Sequence, residues 1–238
     1  MSLPRLRLEK CRFEGGRWLV DDEQAHHLER VRRCASGDLA EGLLDGAKVK
    51  LRLSFAASGV TAEEVSRSEE DAPAIEITLL LALLKAEQFD AALRFASETG
   101  VSKIQLLDCE RSVPAYSGAH LTEKMSRWRR VLDESTRQAG AARAPLLREP
   151  VAPAALELDF LPTTKLVAML ADDAGNIRGV EFNGSVAVAI GPEGDWSPRE
   201  REFFLDNNFI PVTLGGRILR ASTAVAVACG TLSLANGC

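Results

Sequence analysis

Val188–Glu200 reads VAIGPEGDWSPRE, and the change of character inside it organises the rest of the chain. The apolar run SVAVAI ends at Ile190 and has the length of a buried strand. Ser197, Pro198 and Glu200 then open a helix, with serine as N-cap, proline at the first helical position and glutamate at the third to complete a capping box. Between them Gly191 and Gly194 frame a tight turn, stiffened by Pro192, whose backbone a ligand could approach. A strand end feeding a helix start is where open parallel sheets bind ligands. A second elbow follows in TLGGRILRAST, Thr213–Thr223, which leaves a strand, passes Gly215 and Gly216 and enters a helix. Two such elbows from nearby parallel strands would close around one small molecule. Neither reads G-x-G-x-x-G or G-x-x-x-x-G-K-[ST], which disfavours an ordinary dinucleotide site and a P-loop. Arg217 and Arg220 would put positive charge at the pocket mouth, suited to a carboxylate or phosphate.

Outward from these elbows, strand-like and helix-like segments alternate, as in an α/β domain with a largely parallel sheet. IEITLLLALL reads as a buried strand, and KAEQFDAALRFASETG as a helix closed by Gly100 with Phe89, Leu93 and Ala96 on one face. SKIQLLDC is a further strand, a basic helix covers about 119–139, and KLVAML and SVAVAI are strands. The final helix, TAVAVACGTLSLAN, is apolar nearly all round, which predicts burial, with Cys229 as a small hydrophobe. Trp128, on the basic helix, suits packing better than base stacking.

The polar, acidic stretch SRSEEDAPA, Ser66–Ala74, marks a domain boundary. Before it come short β-like pieces, RLRLEKCRF, RWLVD, DLAEGLLDG, AKVKLRLSF and GVTAEEVS, with one helix in DDEQAHHLERVRR where Ala25, Leu28 and Val31 recur at helical spacing. That pattern suits a small β-barrel. His27, on this helix, is expected to pack or cap.

The chain of 238 residues is 46% hydrophobic and 26% charged, ordinary for a globular protein with a real core. Neither a spanning helix nor a signal peptide is evident, so the expected location is the cytoplasm. Five cysteines, including Cys238, are scattered without a C-x-x-C pair, and with three histidines no metal centre is expected. The net charge of −5 argues against wholesale coating by nucleic acid. Local charge differs: residues 1–35 carry Arg5, Arg7, Arg12, Arg30, Arg32 and Arg33 among their cations, and the basic helix and its sequel add Arg127, Arg137 and Arg143.

IGPEGDWSPRE and LGGRILRASTA, with ASETGVSKIQLLDCERSV, RWRRVLDESTRQAGAARAP and HHLERVRRCASGD, closely resemble the RsmE family of 16S rRNA (uracil-N3)-methyltransferases in the SPOUT superfamily. The resemblance runs from about residue 3 to the end. It implies a PUA-like RNA-binding β-barrel over 1–70 and a SPOUT methyltransferase domain with a deep trefoil knot over 74–238. It also implies S-adenosyl-L-methionine as cofactor, 16S rRNA within the small ribosomal subunit as substrate, and a homodimer.

Carried over position by position, the resemblance makes Leu170, Ile190, Gly191, Pro192, Glu193, Gly194, Leu214, Gly215, Ile218, Leu219 and Arg220 the cofactor-binding set. Arg220 is the catalytic candidate for stabilising the developing charge or gripping a phosphate, and Glu193 a candidate base. Arg5, Arg7, Arg12, Arg30, Arg32, Arg33, Arg127, Arg137 and Arg143 are the RNA-binding candidates. The sequence departs from the family where Gly216 replaces a usual proline and Ser222 a usual glutamate. Two other functions remain open to the sequence: methylation of another RNA base or a ribose 2'-hydroxyl, and a non-catalytic RNA-binding or assembly factor.

Overall fold

Strict alternation in AKVKLRLSF sends Ala47, Val49, Leu51 and Leu53 to one side, and all four are buried. This segment is the spine of the first of two units into which the computed structural model divides: Met1–Ala72 with Thr136–Arg143, and Pro73–Ser135 with Ala144–Cys238. The structure describes residues 3–44, 46–69, 73–112, 116–171 and 174–235. Asp45, Asn236, Cys238 and the Glu70–Ala72 part of the acidic stretch, all read above from sequence, lie outside the described residues.

In the first unit the strands are β1 (Arg5–Arg7), β2 (Arg12–Glu14), β3 (Arg17–Leu19), β4 (Leu39–Leu44), β5 (Ala47–Ala56) and β6 (Gly59–Glu69). Among the described residues they form a six-stranded sheet in the order β1-β4-β5-β6-β3-β2. Only the β1–β4 pairing is parallel; the others are antiparallel. Within the boundary stretch, Ser66–Glu69 form the end of β6 and pair with β5. Its residues are polar because this end of the strand is exposed on both faces.

The helix in this unit is shorter than its apolar spacing suggests. α1 covers Asp22–His26, with Asp21 as N-cap accepting from the Gln24 backbone N–H, and a π turn over His27–Val31 follows. The wider turn breaks the 3.6-residue phase. Leu28 is buried, but Val31 is 63% exposed rather than facing the core, and both histidines are exposed.

The second unit is built on β7 (Glu76–Ala82), β8 (Val101–Leu107), β9 (Leu146–Val151), β10 (Lys165–Ala168), β11 (Gly175–Asn176), β12 (Ser185–Ile190) and β13 (Ile210–Thr213). They make a seven-stranded sheet among the described residues, in the order β11-β13-β10-β12-β7-β8-β9, with every pairing parallel. The continuous apolar run of β7 follows from burial on both faces. Ile77, Leu79 and Leu81 enter one core, and Leu80 and Ala82 the other.

Helices α2 (Ala86–Glu98), α3 (Gly118–Ala139) and α5 (Ala221–Leu234) cover the first of these faces, and α4 (Pro198–Asp206) lies with the second. Phe89, Leu93 and Ala96 are buried as their spacing predicts, and Phe89 packs against Trp128 with ring centroids 4.5 Å apart. α5 buries Ala221, Ala224, Val225, Ala228, Cys229 and Leu232, which accounts for its apolar composition. Strand β9 had no sequence signal because it is an edge: in LLREPV only Leu147 is buried. No helix among the described residues is long and apolar enough to cross a membrane.

Candidate active site

Strands β7, β12, β10 and β13 are neighbours in the sheet and parallel, so their carboxyl ends emerge on one edge. The segments that follow them wall a cavity of about 490 Å³. Lys85 comes from beyond β7, Met169 and Leu170 from β10, Gly191 to Glu193 from β12, and Leu214, Gly215 and Arg217 to Arg220 from β13. The two glycine elbows thus meet across one space. This is the carboxyl-edge crevice that parallel sheets offer to ligands.

The first elbow is fastened by its neighbours. Ser197 Oγ accepts from the Glu200 backbone N–H at 3.3 Å, and Glu200 Oε2 accepts from the Ser197 N–H at 2.7 Å, completing the predicted capping box. Glu200 is only 5% exposed, and its other oxygen accepts from the Glu110 N–H at 2.8 Å. One carboxylate therefore ties α4 to the chain beyond β8. Arg111 Nη1 donates to the carbonyls of Gly194 and Trp196 at 2.9 and 3.3 Å.

The glycines here have a reason that the sequence did not give. A Cβ at Gly191 would lie 3.0 Å from the Trp196 ring, and one at Gly194 would lie 3.1 Å from Arg111 Cβ. The turn is small on its inner side so that Trp196 and Arg111 can close against it. The left-handed residue of this elbow is Asp195, at φ 60°, whose Oδ1 accepts from the Trp196 N–H at 2.8 Å and which pairs with Arg201. In the second elbow Gly215 takes φ 128°, a conformation open to glycine and strained for other residues, while Gly216 has open space around it.

All members of the sequence-derived cofactor set except Gly194 line the cavity. Gly194 stands behind the wall, against Arg111. Ile190 is buried at the floor, and Leu170 and Ile218 are 55% and 82% exposed. Arg220 occupies the N-cap of α5, is exposed, and makes no side-chain hydrogen bond or ion pair among the described residues. Glu193 Oε1 accepts from the Lys85 N–H at 3.1 Å, holding the N-cap of α2. Sequence reasoning missed Lys85, Gln88, Asp195 and Ala224, which also line the cavity. For Gln88 and Ala224 no local signal existed, since each is one more helical residue until the fold brings α2 and α5 together.

The arginines read as RNA contacts fall into different settings. Arg5 donates to Glu41 and to the carbonyls of Arg137 and Gln138, Arg7 pairs with Glu9, and Arg127 pairs with Asp90. Arg12, Arg30 and Arg33 are exposed and hold no side-chain partner among the described residues. Arg32, Arg137 and Arg143 have partners of their own. No cluster of three or more His, Cys, Asp or Glu side chains that could hold a metal occurs among the described residues.

Residues 70–233 match the family model described as RNA methyltransferase domain. The Synechocystis sp. protein named ribosomal RNA small subunit methyltransferase E is 30% identical over 216 residues, covering 86% of this chain and 69% of that protein. The chain belongs to this methyltransferase family. The member from Mycobacterium bovis is 29% identical and matches 91% of this chain and 86% of its own length. A crystal structure of the Neisseria gonorrhoeae ribosomal RNA small subunit methyltransferase E bound to S-adenosyl methionine superposes with a TM-score of 0.82 at 24% identity, covering 97% of each chain. A Legionella pneumophila structure described as a methyltransferase in complex with SAM gives a TM-score of 0.82 at 23% identity, over 99% of this chain and 98% of that one. Both share the overall fold of this chain.

Proposed function

We propose that this protein is an S-adenosylmethionine-dependent methyltransferase acting on N3 of a uracil in 16S rRNA. The observation that carries the reading is the single cavity formed where both glycine elbows meet, in a chain of the small-subunit rRNA methyltransferase family. The cavity residues fit the cofactor. Leu170, Ile190, Leu214, Ile218 and Leu219 give apolar surfaces for a flat adenine, and main-chain groups of the elbows lie beside them to read its edges. When bound, S-adenosylmethionine supplies a sulfonium methyl group, which a nitrogen lone pair takes as the C–S bond breaks and its electrons remain on sulfur.

The remaining work falls to the protein. Uracil N3 carries a weakly acidic proton, and its loss leaves negative charge spread over N3 and two flanking carbonyl oxygens. Arg220 presents at the cavity a guanidinium with no partner among the described residues, able to stabilise that charge or to grip the adjacent phosphate. Glu193 shares the wall, and its bond to the Lys85 N–H makes it a brace between the β12 elbow and α2, with one carboxylate oxygen left as a candidate base. Positioning carries the rest of the acceleration.

The wider reading includes a PUA-like RNA-binding barrel over 1–70, a trefoil-knotted domain over 74–238, a homodimer, and a cytoplasmic enzyme acting on the small ribosomal subunit. The knot rests on the family resemblance, carried by the match of residues 70–233 to the RNA methyltransferase domain. Arg12, Arg30 and Arg33 are the RNA contacts with the strongest support, being exposed and unpartnered among the described residues; Arg5, Arg7, Arg32, Arg127, Arg137 and Arg143 complete the set.

The test is incubation with labelled S-adenosylmethionine and small ribosomal subunits lacking the modification, followed by nucleoside mapping. The expected product is N3-methyluridine. Label on ribose or on another base would reject the assignment.

A further inference from the structure

The cavity wall carries one neutral polar side chain that neither elbow supplies. Gln88 stands in the first turn of α2, and Ser222 in the first turn of α5. Ser222 Oγ donates to Gln88 Oε1 at 2.6 Å. Ser222 is 6% exposed, so this bond is sheltered from water. Gln88 lines the cavity, and its Nε2 has no hydrogen-bond partner among the described residues. A hydroxyl donating to the amide oxygen fixes which end of the amide is left to donate.

The charged groups around the same cavity are Lys85, Arg217, Arg220, Glu193 and Asp195. Both acids are engaged by the frame: Glu193 by the Lys85 N–H, and Asp195 by the Trp196 N–H and Arg201. Apart from the second oxygen of Glu193, the charged and amide side chains that remain open are donors. Such a wall favours a ligand that develops negative charge on oxygen.

We propose that Gln88 reads the target base, its Nε2 donating to a ring carbonyl oxygen beside N3, and that Ser222 is the positioning residue that holds the amide in that orientation. The proposal rests on the reading of this cavity as the methyl-transfer site. The N3 proton leaves to the free carboxylate oxygen of Glu193, the candidate base named above, and the hydrogen bond from Gln88 strengthens as charge grows on the carbonyl oxygen. Ser222 fills this role as a short neutral side chain. A glutamate there would set a carboxylate against the Gln88 oxygen and would draw the Nε2 donor away from the base.

The experiment compares wild type, Gln88→Met and Ser222→Ala for methylation of unmodified small subunits across pH, with S-adenosylmethionine affinity measured by calorimetry. Methionine keeps the length of glutamine without its donor. We expect kcat of Gln88→Met to fall about tenfold or more, corresponding to one lost transition-state hydrogen bond. The midpoint of its rise with pH should move upward, because the base loses a group that stabilises its anion. Ser222→Ala should show the same changes to a smaller degree, and cofactor affinity should hold in both. Wild-type kcat and pH midpoint in Gln88→Met would overturn the proposal alone, as would a parallel loss of cofactor affinity, which would make Gln88 a cofactor ligand. A wild-type protein that transfers no methyl group to RNA would overturn the proposed function and this inference with it.

Discussion

Trp196 Nε1 donates to the carbonyl oxygen of Ala168 at 2.9 Å, joining the elbow after β12 to the last residue of β10. Trp196 is 1% exposed, lies under Gly191, and meets Phe204 of α4 edge to face with centroids 4.7 Å apart. One indole therefore sets the spacing between two strand ends that wall the cavity. Trp196→Phe keeps an aromatic ring and leaves the Ala168 carbonyl without its partner. The expected cost is about 2 kcal/mol, from a lost buried hydrogen bond and a small void. The urea midpoint should fall, and calorimetry should show weaker S-adenosylmethionine binding.

Gly191 and Gly216 should respond unequally to alanine. At Gly191 the new methyl would press on the Trp196 ring at 3.0 Å, whereas at Gly216 nothing stands within 4 Å. Overpacking of this kind costs about 1–3 kcal/mol. Gly191→Ala should lower both thermal stability and cofactor affinity, and Gly216→Ala should change stability by no more than about 0.5 kcal/mol. Equal effects at the two sites would show that Trp196 is not what limits the first elbow.

Arg220→Ala removes a cation that holds no other side chain among the described residues, so folding should be little affected. Turnover on unmodified small subunits should drop by about 100-fold, the order found when one donor to a developing oxyanion is removed. Cofactor affinity should stay within a few-fold of wild type. A variant that turns over normally would take Arg220 out of the mechanism.

Burial pushes the Cys229 thiol up to about 12 from the ordinary 9.0. Between these values the unfolded chain has released the thiol proton and the folded chain keeps it. The stabilisation is therefore complete below pH 9 and is lost as pH rises toward 12, at about 1.4 kcal/mol per pH unit. Urea midpoints measured from about pH 8 to about pH 10.5 should fall more steeply for wild type than for Cys229→Ala. In the native state at pH 8 this thiol should also resist alkylation until the protein unfolds.

Local signals were enough to read the capped start of α4 at Ser197, the buried strands β7 and β12, and the apolar face of α2 through Phe89, Leu93 and Ala96. Each depends on spacing within a few residues, which the chain carries wherever it folds. The edge strand β9 gave no such signal because an exposed edge needs little apolar periodicity, and the π turn after α1 shifted Val31 outward without altering composition. The sequence by itself determined that two glycine elbows follow parallel strands and that their residues resemble a methyltransferase site. Only the tertiary structure decided that Gly191 yields to Trp196, that Gly194 stands behind the wall, and that Gln88 meets Ser222 at the cavity. These are contacts between segments far apart in the chain, and their partners are chosen by packing of the whole sheet.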